Sequence, residues 1–311
     1  MLIEFHRRML ADAVRSAAFE AALRRVIVPG QSSVADIGAG TGVLGFMARR
    51  LGAREVHLIE HGAVIALAQR LAEANAITGL YFWPVHSAEI IDPPRVDIVV
   101  AEILGNLALE ENALETLADA RRFLVNGGTL IPRRISQYVA PVVADRFTDE
   151  LHSWDRAPAG LDFSAARAVS FDNLYVRRIG PDELLAGDTA AQRWDEIDLA
   201  GEASSERRGT AYWDVGTTTA IHGFALWWDC ELVPGVVLST SPHAAPTHWE
   251  QVFAPIATPL QALPGDRVQI SIESETGGGE AGIGMRWRVS LARAGTEISR
   301  QEQDIGRGHL G

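Results

Sequence analysis

Apolar residues recur near helical spacing from residue 5 to 27, at Phe5, Met9, Val14, Phe19 and Leu23, and Pro29-Gly30 ends the run. Short apolar stretches then alternate with helical ones. Strands are expected at 34–37, 56–59, 80–85, 96–101 and 129–131, with helices at 42–51, 62–76 and 111–124. Continuous apolar strands alternating with helices imply a parallel sheet wrapped by helices. Beyond Pro132 the pattern changes to extended runs at 136–143, 219–232, 236–240, 267–273 and 284–292, so the second half is expected to be mainly β. From Ile221 to Leu226 the alternation is blurred, as for a strand covered on both faces. Residues 154–171 mix Ala, Pro and Gly with polar groups and suit a projecting loop or arm. The chain divides into an N-terminal helix (1–28), a Rossmann-like α/β domain (29–132) and a β domain (133–311), with the arm at about 150–175.

Composition narrows the function. Of 311 residues, 47% are hydrophobic and 22% charged, enough for two cores. A net charge of -12 argues against a nucleic-acid partner, which needs a basic face, and fits a cationic substrate better. All the basic side chains are arginine, read as the coding bias of a G+C-rich genome. The single cysteine, Cys230, allows neither a disulfide framework nor a cysteine metal site. The N-terminus has no secretory pattern, and no apolar run reaches the roughly 18 residues of a membrane span. A soluble, cytoplasmic protein without a metal is expected.

The first strand runs directly into Asp36-Ile-Gly38-Ala-Gly40-Thr-Gly42 and then a helix. Glycines let the backbone pass close to a ligand, and a helix N-terminus offers free N–H groups. Glu60 ends the second strand, 18 residues after Gly42, where a carboxylate accepts from ribose hydroxyls. The stretch from Gly40 to Gly45 also matches the dinucleotide GxGxxG, but its first glycine lies two residues too late in the turn. The register from Gly38 is the methyltransferase form, and Asp36 suits a sulfonium amino-acid cofactor better than a pyrophosphate. S-adenosyl-L-methionine is therefore the expected cofactor, ahead of a dinucleotide and of a plain structural turn. Glu89, after the third strand, is placed to meet an adenine edge; a solvated loop carboxylate is the alternative.

The fourth strand leads into Glu102-Ile-Leu-Gly105-Asn-Leu-Ala-Leu-Glu110-Glu111. Open α/β sheets bind ligands at the carboxyl ends of their strands. Glu102 sits in an apolar stretch, where a carboxylate costs several kcal/mol unless a cation pairs with it. Two glutamates on one loop turned back at Gly105 would bracket a planar guanidinium, whose fork of donors meets carboxylates bidentately. In the alternative, Glu110 and Glu111 only cap the following helix and Glu102 alone is special.

Residues 34–143 resemble the protein arginine methyltransferase family, with its glycine-rich turn, ribose acid and paired-glutamate loop; Glu102 and Glu111 stand nine residues apart, as in that family. His6-Arg-Arg-Met9-Leu-Ala-Asp12-Ala-Val-Arg15 resembles its N-terminal helix, and Thr247-His248-Trp249 its Thr-His-Trp loop. The resemblance implies a β-barrel second domain and a head-to-tail homodimer closed by the arm. It implies that His6 and Arg15 lie at the cofactor, Arg15 on its carboxylate, with Glu60 on the ribose and Glu89 on the adenine. Glu102 and Glu111 would hold the guanidinium, Met9 would pack beside the target nitrogen, and His248 would lie near Asp12 beside Thr247 and Trp249. There are departures: a tyrosine-rich segment ahead of the helix has no counterpart in the five residues before His6, so the lid is expected to be built otherwise. Ile103 stands where members making asymmetric dimethylarginine have Trp, and Ala113 replaces a frequent methionine, so product type does not carry over. With no appended modules, free L-arginine in secondary metabolism is the expected substrate, with protein or peptide arginine the alternative. A non-catalytic cofactor-binding module is a rival of a different class, and a small-molecule O-methyltransferase a third, disfavoured because a hydroxyl needs one base and not two anions.

Overall fold

The computed structural model describes residues 3–201, 204–276 and 283–308, except for the side chains of Glu111 and Asp188. The expected first helix is two helices, α1 (Ile3–Ala11) and α2 (Ala13–Val26). Asp12 breaks them: its backbone is extended and its side chain accepts from the Arg15 N–H at 2.8 Å, capping α2. A short polar side chain competes with the backbone for hydrogen bonds, a break that apolar periodicity does not reveal.

The α/β part runs β1 (Ser33–Ile37), α3 (Val43–Arg50), β2 (Glu55–Ile59), α4 (Ile65–Ala74), β3 (Leu80–Trp83), β4 (Val96–Ala101), α5 (Ala113–Ala120) and β5 (Leu124–Ile131). All five strands are parallel, in the order β3-β2-β1-β4-β5. The order reverses beside β1, between β2 and β4, so the loops after β1 and β4 open onto one crevice. The helix expected at 111–124 is only its middle; 3-10 turns (Glu110–Asn112 and Arg121–Phe123) flank α5.

The second half begins with β6 (Arg134–Val142), then α6 (Arg146–Leu151) and α7 (Ser164–Phe171), so the expected projecting segment is largely helical. There follow β7 (Tyr175–Arg177), β8 (Gln192–Asp198), β9 (Glu206–Asp214), β10 (Thr219–Val233), β11 (Val236–Ser239), β12 (Gln251–Ala262), β13 (Arg267–Thr276), β14 (Ile283–Arg293), β15 (Thr296–Asp304) and the single turn α8 (Ile305–Gly308). One antiparallel sheet has the order β7-β12-β10-β6-β8 with β11 on β10; the other is β15-β14-β13-β9. They close on each other at both edges. Arg207 of β9 pairs with buried Asp195 of β8, while Thr258 of β12 exchanges two hydrogen bonds with Gln301 of β15. The result is barrel-like. Strands β8 and β15 escape the apolar pattern because they are polar edge strands, and β12 because Pro255 and Pro259 interrupt it. Strand β10 is buried on both faces along its middle, as its blurred alternation implies.

Among the described residues no helix is long and apolar enough to cross a membrane, and no group of side chains is arranged to hold a metal ion. One apolar core runs through both halves, from Phe19 and Leu58 under the parallel sheet to Trp228 and Trp287 in the barrel. Gly42, left-handed at φ 84°, belongs to it: a β-carbon there would lie 2.7 Å from Phe46 and 3.0 Å from Leu58. Gly42→Ala is expected to lower stability by about 1–3 kcal/mol, since both the backbone and the packing object; an unchanged denaturant midpoint contradicts this.

Candidate active site

A cavity of about 660 Å³ opens at the carboxyl ends of β1, β2 and β4, roofed by α1. His6 of α1 packs on the glycine turn, its ring 3.0 Å from where a β-carbon on Gly40 would stand. Gly38, Gly40 and Gly42 all have positive φ, a conformation that lets the chain double back between β1 and α3. Burial lowers the His6 pKa, with Glu60 acting in the opposite sense, so the ring is neutral at physiological pH.

Glu60 closes the turn from the side, one oxygen accepting from the Gly40 N–H at 3.0 Å and the other from the Gly62 N–H at 2.6 Å. Asp36, 1% exposed, accepts from the Gly45 N–H at 2.8 Å. Burial, only partly offset by that bond, pushes its carboxyl up to about 7.

Arg15 projects from the first turn of α2, which Asp12 caps. Its Nε lies 2.7 Å from Glu102 Oε2, and its Nη2 bonds the same oxygen. Both side chains are 5% exposed. The cation that an interior Glu102 requires is therefore supplied by the protein itself. Two atoms are left over. Arg15 Nη1 is buried without a hydrogen-bond partner, and Glu102 Oε1 has only the Leu104 N–H at 3.4 Å. An unpaired guanidinium donor fits an anionic group of a ligand, and an under-used carboxylate oxygen fits a cationic one.

The far wall is the segment between β11 and β12. Asp12 Oδ2 accepts from both the backbone N–H and the ring Nδ1 of His248, at 2.7 and 2.8 Å. Burial opposes ionisation of Asp12, but these donors and the Arg15 N–H outweigh it and hold its pKa below the usual range. Burial likewise depresses His248, against the pull of Asp12. The ring is then neutral, with its proton on Nδ1 toward Asp12 and a lone pair on Nε2. The barrel also grips the loop after Glu102. Trp249 Nε1 donates to the Leu104 carbonyl at 2.8 Å, Trp228 Nε1 to that of Gly105 at 3.1 Å, and the Glu250 N–H to Asn106 Oδ1 at 3.1 Å.

Comparisons with known proteins agree with this geometry. Residues 134–289 match the family model for the arginine methyltransferase oligomerization subdomain, and residues 20–154 that for ribosomal protein L11 methyltransferase (PrmA). Protein arginine N-methyltransferase 6 of Xenopus laevis is 30% identical over 269 residues, which are 81% of this chain and 77% of that protein. The chain belongs to the protein arginine methyltransferase family. It is accordingly an S-adenosylmethionine-dependent methyltransferase. Probable protein arginine N-methyltransferase 3 of Arabidopsis thaliana is 29% identical over 93% of this chain and 53% of its own length. The fold matches the Trypanosoma brucei PRMT1 enzyme-prozyme heterotetrameric complex, with a TM-score of 0.87 at 23% identity and 97% of each chain covered.

Most residues singled out in this methyltransferase's sequence line this cavity: His6, Met9, Arg15, Asp36, Gly38, Gly40, Glu60, Glu102, His248 and Trp249. Others do not. Glu89 lies exposed at the end of a 3-10 turn (Ser87–Glu89), outside the cavity; the loop after β3 carries it into solvent, and His61 to Val64 line that end instead. Gly42 is a packing glycine, Thr247 is buried and spends its hydroxyl on the Trp249 carbonyl, and Asp12 acts through Arg15 and His248. The Glu111 backbone lies in the 3-10 turn before α5, and its side chain is outside the described part. Sequence reasoning missed Asn106, Val176 and Glu250 in the lining and gave Glu110 only a capping role. The Glu110 carboxylate packs where a side chain on Gly105 would stand, which accounts for the glycine in that turn. Glu250, next to the Thr-His-Trp segment, was within reach of the sequence pattern.

Asp36 gives the site a pH signature. Its folded pKa lies above the ordinary 3.8, so its contribution to stability is complete below that value and is lost as pH rises through about 7. Asp36→Asn is expected to flatten this part of the melting-temperature profile between pH 4 and 8. A variant whose profile keeps the wild-type slope shows that another group is responsible.

Proposed function

We propose that the enzyme methylates a guanidinium nitrogen of arginine carried on a polypeptide. The observation that carries this reading is Glu102, a buried carboxylate already engaged with one guanidinium through Oε2 and nearly free at Oε1. The matched relatives are named as protein arginine N-methyltransferases, which favours a polypeptide over the free amino acid first expected.

In this reading Arg15 Nη1 takes the cofactor's carboxylate, Glu60 its ribose hydroxyls and the turn at Gly38 and Gly40 its backbone-hugging part, with His6 and Met9 above. When bound, the cofactor supplies an electrophilic methyl group on a sulfonium. The chain's task is the nucleophile, a guanidinium with a pKa above about 12 and delocalised lone pairs. Glu102 and Glu111 would draw the positive charge toward two nitrogens and leave the third as the nucleophile, with Met9 lining the same cavity. This is orientation and electrostatic stabilisation in a site shielded from water. The proton leaves late, to Glu111 or to the lone pair on His248 Nε2.

Assembly follows from the arm. Trp154 and Phe163 stack with ring centres 6.0 Å apart yet remain 39% exposed, and Leu161 beside them is 61% exposed. Such a patch suits a second copy, and Ile3, Phe5 and Leu10 of α1 present apolar surface of the same kind. A soluble, cytoplasmic homodimer is the corresponding assembly.

Mass spectrometry with labelled cofactor tests the reaction. An arginine-containing peptide should gain label in preference to free L-arginine; label on the free amino acid alone overturns the polypeptide assignment. Glu111→Gln should cut turnover about 100-fold or more while cofactor affinity by calorimetry stays within a few-fold. Arg15→Ala should chiefly weaken cofactor binding, and the opposite pattern in either variant removes that residue from its role. Trp154→Asp is expected to shift the protein from dimer to monomer in analytical ultracentrifugation and to lower activity; an unchanged sedimentation coefficient assigns the patch another use.

A further inference from the structure

The cavity does not end at Glu102. Gly105 and Asn106 of the following loop line it as well, together with Val176 and Glu250 from the second half, none of which is among the groups proposed to hold cofactor or guanidinium. This outer end is firmly built. The Glu250 N–H is held by Asn106 Oδ1, and the next side chain, Gln251, accepts from the Ile179 N–H at 2.9 Å and donates to the Thr240 carbonyl at 2.8 Å. Strand β7 pairs Arg177 with Gln251, and the Arg178 carbonyl accepts from Arg146. Two segments far apart in the chain, the end of the arm and the start of β12, are thus pinned side by side at the mouth. Among the described residues the Glu250 side chain, 32% exposed, has one ionic neighbour, Arg178, at a loose 3.6 Å and itself 61% exposed. Asn106 is four residues from Glu102, so the backbone points fixing the two glutamates lie at most about 14 Å apart. A substrate with its arginine at Glu102 carries the groups one to three residues away across this end.

We propose that Glu250 is a specificity-determining residue that receives a second cationic group of the substrate, adjacent to the target arginine. The inference rests on the arginine methyltransferase reading and adds the charge of its neighbours. A competing ammonium or guanidinium displaces Arg178, whose exposed guanidinium returns to water at little cost. Such a cation has two chemical sources, a basic side chain flanking the target in a polypeptide or the α-ammonium of an amino acid. Because Glu250 sits outside the reacting centre, its contribution is to binding and not to turnover.

The test measures kcat and KM for three peptides of equal length, the target arginine flanked by lysine, alanine or glutamate, in wild type, Glu250→Gln and Glu250→Lys. Free L-arginine and N-acetyl-L-arginine distinguish the two sources. Wild type should show the lowest KM for the lysine-flanked peptide. Glu250→Lys should raise that KM about threefold or more and lower it for the glutamate-flanked peptide, with kcat and cofactor affinity unchanged and the difference shrinking in high salt. Preference for free over acetylated arginine, lost in Glu250→Gln, identifies the α-ammonium as the source. A charge preference identical in all three proteins overturns the role of Glu250 and leaves the arginine assignment standing. Wild type that binds cofactor but methylates none of these compounds overturns both.

Discussion

A carboxylate and a guanidinium buried together organise this enzyme. Glu102 follows a strand that is apolar apart from Asp97 near its start, and its side chain is only 5% exposed, so its charge needs a partner inside the protein. Removing one partner of such a pair costs about 3–5 kcal/mol, because the other is left as an unpaired interior ion. Arg15 answers that requirement from a different element, and the pairing draws α2 over the crevice of the parallel sheet. Since Asp12 caps α2 and also holds His248, one short polar segment of the N-terminus fixes the sheet loop and the barrel loop together. Neither half completes the cavity alone.

The pair is saturated on one side only. Arg15 has a donor to spare and Glu102 an oxygen to spare, so the structural contact leaves two complementary valences pointing to ligands of opposite charge. In the proposed reading, a cofactor carboxylate and a substrate guanidinium would use these two valences. Because the groups are rigidly packed, little reorganisation is needed when charge shifts during transfer. The tryptophans serve the same end, with Trp228 and Trp249 donating to consecutive carbonyls of the loop after Glu102 so that a glutamate on a turn is held nearly as firmly as one on a strand.

Much of this was legible in one dimension. The parallel sheet follows from apolar runs between helices, and the glycine turn from three residues for which only positive φ permits the bend. That Glu60 stands beside this turn follows from its place at the end of β2. The need for a cation at Glu102 is visible from its apolar neighbours alone. The edge strands of the barrel and β12 were not legible, because strands exposed on one side or broken by proline carry too little hydrophobic signal. That Glu89 lies outside the cavity lining was not legible for a related reason: its position depends on how the loop after β3 leaves the sheet, and spacing does not encode direction.

The sequence by itself determined the fold class, the glycine turn and the identity of the charged residues, since each rests on local geometry or on the price of burying a given group. Which charges meet was decided only in three dimensions. Arg15 and Glu102 are 87 residues apart, and Asp12 and His248 are 236 apart. Pairings at such distances arise when two layers pack, and packing depends on the shape of the whole core. The same holds at the mouth, where β7 and β12 bring Arg178 beside Glu250. Electrostatic energy falls with separation in space, so the chemistry of this site belongs to the folded chain.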